Sequence, residues 1–182
     1  MGMLKWLIRT RLTAFEKRYA YDVGYARDLL AADARAFFAY AKLQGISRYR
    51  KDVPREVHFA VKLVGTMAED CGSCTQLMVA MALEQGVGPA ILSAVLRRED
   101  AALSEDVRLG VRFARASLAH SPEADALREA VVARWGERAL ISLAFGLAAA
   151  RVFPTLKYAL GHGVACQRVV VAGTPVAIGA AA

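Results

Sequence analysis

Apolar residues recur every three or four positions along most of the chain, the spacing of helices that bury one side. In residues 3–20, Leu4, Leu7, Ile8, Leu12, Phe15 and Tyr19 share a broad face, with Lys5, Arg9, Lys17 and Arg18 mainly off it. Asp22 is placed to cap a second helix over residues 23–44, whose core side is Leu29, Leu30, Phe37, Phe38 and Ala41 and whose stop is Gly45. The polar link SRYRKDVP leads to Pro54, suited to the first turn of a third helix carrying Val57, Ala60, Val61, Val64 and Met67. A fourth helix, residues 71–85, has the core LMVAMAL, apolar nearly all round, and is expected to be the most buried element.

Gly86, Gly88 and Pro89 mark a bend, and a short helix follows over residues 89–97. Ser104 opens a helix over 105–119, and Ser121-Pro122-Glu123 opens another that runs to Trp135. His120 belongs to the link between them. Gly136 precedes an apolar helix over 137–152, which Pro154 is expected to interrupt, leaving a last turn over 155–160. The tail from Gly161 contains VVVAG, a short strand or a mobile end. The pattern predicts one all-α domain over residues 1–182, of about seven to nine helices, with no internal repeat and no inter-domain linker.

Composition changes this picture in two respects. The 182 residues are 56% hydrophobic, with mean hydropathy +0.30. Surplus apolar surface in a small helical protein usually goes into subunit contacts, so a homo-oligomer is expected. The run ALISLAFGLAAA, residues 139–150, is shorter than the roughly 20 residues a spanning helix needs, and reads as a core helix. The N-terminus has no uninterrupted apolar segment of the secretory kind, which points to the cytoplasm. The basic first helix, with Trp6, is expected on its own domain or a second subunit rather than on a membrane. The formal charge of +7 comes from 24 basic and 17 acidic residues spread along the chain. There is no dense basic block with interleaved aromatics, so no nucleic-acid partner is expected.

The chemistry lies in EDCGSCTQLM, residues 69–78. Cys71 and Cys74 are two of three cysteines, and they open the fourth helix. Free backbone N–H groups and the helix dipole stabilise a thiolate there, most strongly at Cys71, nearer the helix start. Asp70 is the expected cap, and Thr75 and Gln76 add hydrogen-bonding groups that do not titrate. This arrangement supports thiol–disulfide exchange or attack on a peroxide. Two other readings remain: a pair of packed cysteines, or half of a zinc site completed from Cys166, His162 and His58.

The helix PREVHFAVKLVGTMA leading into EDCGSCTQLMVAMALEQGV, followed by LGVRFARASLAHSPEADALREAVVARWGERALISLA, resembles the alkylhydroperoxidase D and carboxymuconolactone decarboxylase (AhpD-like) superfamily. The resemblance covers roughly residues 54–150, dividing the chain into an N-terminal helical extension (1–50), a core (54–152) and a tail (161–182). It implies an orthogonally packed helical bundle that commonly oligomerises. It also implies that Cys74 attacks the hydroperoxide, that Cys71 resolves the intermediate as a disulfide, and that a partner protein dithiol regenerates the pair. The chain departs from the pattern: the family's two motif histidines correspond to Ser73 and Met78, and its upstream glutamate to Phe59. Glu56, one turn earlier, Glu69 and His58 are the candidates to replace the lost relay.

The leading expectation is therefore a thiol-dependent redox protein acting on a hydroperoxide or other small molecule, or exchanging disulfides with a partner, through Cys74 and Cys71 assisted by Glu69, Glu56 or His58. It needs no metal or organic cofactor. The alternatives are a decarboxylase-like lyase or isomerase on a small anionic substrate, and a non-catalytic oligomeric binding protein that has lost the relay. Cys166, in GHGVAC, is a candidate auxiliary resolving thiol.

Overall fold

The computed structural model describes residues 2–163 and 168–179. Nine α-helices are described: α1 (Gly2–Tyr19), α2 (Gly24–Ala32), α3 (Ala34–Arg48), α4 (Arg55–Ala68), α5 (Gly72–Glu84), α6 (Pro89–Arg97), α7 (Glu105–Leu118), α8 (Glu123–Trp135) and α9 (Glu137–Ala159). A 3-10 turn, Asp100–Ala102, joins α6 to α7, and two strands, β1 (Arg168–Val171) and β2 (Thr174–Ala177), end the described chain. Among the described residues the regular structure is helical except for this hairpin.

The centre of the bundle is α4, not α5. Every residue from Val57 to Thr66 is buried, because α5, α6, α7 and α9 all pack around it. The apolar sequence of α5 buries only part of its circumference, through Cys74, Thr75, Met78, Val79 and Ala82. What brings the helices close to α4 is the absence of side chains. A Cβ on Gly110 of α7 would lie 2.5 Å from Val57 Cγ1, and one on Gly65 of α4 would lie 2.8 Å from Ala150 Cβ on α9. Neither distance is tolerable between carbon atoms, so both crossings require glycine.

The single helix expected over 23–44 is two. Asp33 leaves helical geometry (φ −152°, ψ 118°) and its carboxylate accepts from Arg35 N at 2.8 Å, capping α3, while its own N–H closes α2 on Leu29 O. The short side chain offers the backbone a competing partner, which apolar periodicity does not register. Gly45 lies inside α3 instead of ending it. Asp22 does accept from Gly24 N, at 2.8 Å, at the start of α2. Ser104 likewise accepts from Val107 N, at the start of α7.

Pro154 does not end α9, which is continuous over 23 residues. Only one N–H is lost, and burial of Ala149, Ala150, Pro154 and Lys157 holds the helix on both sides of the ring. At this length α9 is, among the described residues, the one helix long and apolar enough to cross a membrane, and 44% of its apolar window is buried by α3, α4 and α8. Ile141, Phe145 and Val152 form an exposed stripe along it, and Phe38 and Ile46 are exposed on the adjoining α3.

The tail is a hairpin turned by Ala172 and Gly173, both at positive φ (48° and 84°), the geometry of a tight two-residue turn. Val169, Val171 and Val176 close the lower core, and Gln76 of α5 grips the backbone of Val170 from both sides, accepting from its N–H at 2.7 Å and donating to its carbonyl at 3.0 Å. Two apolar clusters result. The larger surrounds α4; the smaller, formed by α1, α2, α3 and the start of α5, contains Tyr21, Tyr25, Leu30, Phe37, Cys71 and Cys74.

Gly110→Val is expected to destabilise the protein by about 1–3 kcal/mol through overpacking against Val57. A urea midpoint unchanged from the parent would show that the α4–α7 crossing yields without cost.

Candidate functional site at the cysteine pair

The end of α4 turns through Asp70, held at φ 48°, so that the chain re-enters a helix with Cys71 as the N-cap of α5. Cys71 is in extended geometry and its carbonyl accepts from Thr75 N at 2.9 Å and from Thr75 Oγ1 at 3.0 Å. Cys74, one turn on, faces the same side. Both thiols are free and almost wholly buried, at 1% and 5% exposure.

The cover comes from the N-terminal extension and from α9. Tyr21, in the link between α1 and α2, places its hydroxyl 3.6 Å from Cys74 Sγ. Tyr25 of α2 stands edge-on to Tyr21, and its hydroxyl lies 2.7 Å from that of Tyr40 on α3. From α9 comes Lys157, only 1% exposed. Its ammonium donates to Ser73 Oγ at 3.1 Å and sits 4.5 Å and 5.6 Å from the ring centroids of Tyr21 and Tyr25. Ser73 Oγ in turn is 3.6 Å from Cys71 Sγ. Tyr158, the next residue of α9, donates to Asp70 O at 2.9 Å and closes the outer edge.

These contacts divide the pair electrically. The Cys71 thiol is lowered to about 6, first by a hydrogen bond from Cys74, then by Ser73 and by the positive charge of Lys157, against the opposing effect of burial. Cys74 is raised, because it is the donor of that bond and because it is buried. Tyr21 and Tyr25 are raised as well, mainly by burial, and stay protonated. The arrangement is a thiolate at Cys71, a thiol at Cys74, and a polarised chain from the Lys157 ammonium through the Ser73 hydroxyl to the Cys71 sulfur. No carboxylate pairs with Lys157 among the described residues, which leaves the thiolate as its counter-charge.

The other residues singled out from sequence lie elsewhere. Glu69 turns to α9, where Arg151 Nε donates to it at 2.5 Å and Thr155 Oγ1 at 3.0 Å. Glu56 and His58 are in the first turns of α4, the end remote from the thiols, roughly 15 Å along the helix from its last turn. His58 is buried, its Nδ1 has no partner, and burial with the charges of Lys62 and Arg50 pushes its pKa down to about 3. Burial also lowers the neighbouring Lys62 to about 8, and its ammonium donates to Ser47 O at 3.2 Å. His162 Nε2 is 2.9 Å from Asp28 Oδ2, with its ring against Tyr25, so the start of the tail does approach the layer over the thiols. Cys166 lies outside the described residues. Among those described, no group of three or more His, Cys, Asp or Glu side chains converges in a metal-binding arrangement.

Ser73, at one of the positions the resemblance gives to a histidine, bridges the Lys157 ammonium and the Cys71 sulfur. Sequence reading missed Lys157, Tyr21 and Tyr25. The signal for Lys157 was faint: a lone cation in an otherwise apolar segment, FPTLKYAL. Comparison with known protein families, characterised proteins and solved structures finds no match to this chain.

Thiolate absorbance near 240 nm is expected to titrate with a midpoint near pH 6 and to shift upward in Lys157→Met, with the hydrogen bonds from Cys74 and Ser73 still holding it below the ordinary thiol range. The depressed thiol makes the unfolded chain the more protonated state between pH 6 and about 8.5, so stability should rise with pH across that window and be lost as pH falls through 6. His58, held down at about 3 by burial, adds a change of the same sign below about pH 7, and Lys62 adds one only above about 8. A slope between pH 7 and 8 that survives in Cys71→Ser would refute the assignment to Cys71.

Proposed function

We propose that the protein is a thiol-dependent reductase of small hydroperoxides, a divergent relative in chemistry of the AhpD-like proteins that its sequence resembles. The observation that carries this reading is the electrical division of the buried pair, thiolate at Cys71 and donor thiol at Cys74, with Lys157 and Ser73 behind the thiolate. Cys71 attacks the hydroperoxide oxygen, breaking the O–O bond and forming a sulfenic acid as the alkoxide leaves with a proton. Cys74 then attacks the sulfenic sulfur, releasing water and closing the disulfide. In total two thiols and one hydroperoxide become one disulfide, one alcohol and one water. A partner dithiol returns the two electrons.

The roles are the reverse of those implied by the resemblance, in which Cys74 attacks. Burial favours a small oxidant over a protein disulfide as the first substrate, since neither sulfur offers surface to a macromolecule. Tyr21 and the Lys157–Ser73 chain take over the proton-supplying role that the resemblance gives to the family's histidines, whose positions here are Ser73 and Met78. The setting is the cytoplasm, with α9 a bundle helix that keeps Arg151 in its pair with Glu69 and Lys157 under α2. Its exposed stripe of Ile141, Phe145 and Val152 is the surface for a second copy of the chain.

Substoichiometric hydroperoxide should remove about 2 Da from the intact protein, mapped to Cys71–Cys74 and reversed by a dithiol. Cys71→Ser should abolish turnover, whereas Cys74→Ser should still consume one equivalent and stop at the sulfenic acid. Thiols that stay unoxidised in folded protein would end the peroxidase reading and favour a packing pair. Separately, light scattering should give a multiple of the 19.6 kDa chain, reduced to the single chain in Phe145→Glu; a monomeric parent protein would dispose of the second-copy interface.

A further inference from the structure

Lys157 presents a physical problem that the redox reading alone does not resolve. An ammonium at 1% exposure, with no carboxylate in reach among the described residues, is strongly destabilising unless an anion balances it. Its hydrogen-bond partner, Ser73, is neutral, and the faces of Tyr21 and Tyr25 supply only the attraction of two aromatic rings. Among the described residues the one anion within reach is the Cys71 thiolate, through the Ser73 hydroxyl. The groups that seal this pair from water belong to the first helices of the chain. Tyr21, Val23, Tyr25 and Leu30 lie over it, with Leu12 and Phe15 of α1 behind them.

That covering layer reaches the body through α3 and through side chains. The close backbone contacts of α1 are with α2 and those of α2 with α3, which in turn packs on α9. Side chains join the layer to the body at its rim: Arg18 and Tyr19 to Glu84, and Asp28 to His162. The chain leaves helical geometry at Asp33, between α2 and α3, which makes it the natural pivot.

We propose that the Cys71 thiolate and the Lys157 ammonium form a redox-sensitive latch holding α1 and α2 closed over the cysteine pair. Resting on the redox reading above, the latch opens when the pair is oxidised. Closing the disulfide with a hydroperoxide consumes the thiolate, converts two thiols to one S–S bond, and yields an alcohol and water. The ammonium then has no anion, and it reaches water only if Tyr21 and Tyr25 lift away. A small oxidant thus acts on the closed form, while the open, oxidised form exposes the disulfide to a reductant too large to enter otherwise. Reduction restores the thiolate and closes the layer.

Hydrogen–deuterium exchange on the full chain tests this directly. Amides of residues 21–32 should exchange on the order of 10–100-fold faster in the oxidised protein than in the reduced one, the scale set by exposing a buried charge that has lost its partner. Cys71→Ser, which removes the anion without any oxidant, should open the layer equally, and Cys71→Asp, which restores an anion, should keep it closed. Lys157→Met, with nothing left to neutralise, should exchange alike in both redox states. Protection of residues 21–32 that is the same in Cys71→Ser as in the parent would overturn the latch, as would opening on oxidation that persists in Lys157→Met. If peroxide fails to oxidise the pair, the redox reading falls, and the serine and aspartate variants still decide whether the ion pair holds the layer shut.

Discussion

A buried ammonium opposite a buried sulfur is the constraint on which the upper half of this molecule depends. Lys157 is buried against the rings of Tyr21 and Tyr25, and its positive charge joins the hydrogen bonds from Cys74 and Ser73 in lowering the buried Cys71 thiol. Each makes the other tolerable, and Ser73 carries the interaction between them. The helix start at Cys71 adds unpaired N–H groups on the same side. A reactive thiol in most proteins sits at the surface. Here the pair lies buried beneath Tyr21 and Tyr25.

The fold serves this arrangement from below. With α4 buried along most of its length, α5 and α9 are both anchored to the same rod, and the two elements that carry Cys71 and Lys157 keep a fixed spacing. Glycine at positions 65 and 110 permits the close crossings. The hairpin, gripped by Gln76, braces α5 on the side away from the thiols. A second buried polar pair, the neutral His58 with Lys62, lies at the other end of α4, away from the thiols.

Much of the helical layout was legible because apolar spacing records which face of a helix is buried. The helices after Ser104 and after Ser121-Pro122 begin where those residues indicate, since a hydroxyl or a proline at a helix start acts locally. The break at Asp33 was not legible, because a carboxylate capping a new helix looks the same in sequence as one exposed on a continuous helix. Pro154 failed in the opposite sense. Its local cost is one hydrogen bond, and the burial of α9 on both sides outweighs it. The pattern also misplaced the centre of the bundle, since uniform apolarity in α5 says how much a helix can bury and not how many neighbours surround it.

The pair of cysteines at a helix start, and with it the chemistry of a stabilised thiolate, follow from the sequence by itself, because i and i+3 on a first turn necessarily share a face. So does the helical class. What balances a charge on Cys71, and how completely the pair is shut off from water, were decided only by tertiary structure. Those properties depend on Lys157, which is distant in the chain from Cys71, and on Tyr21 and Tyr25 from an extension with no evident link to the motif. Electrostatic partners are set by distance in space and by the exclusion of water, and neither quantity exists until the helices have packed.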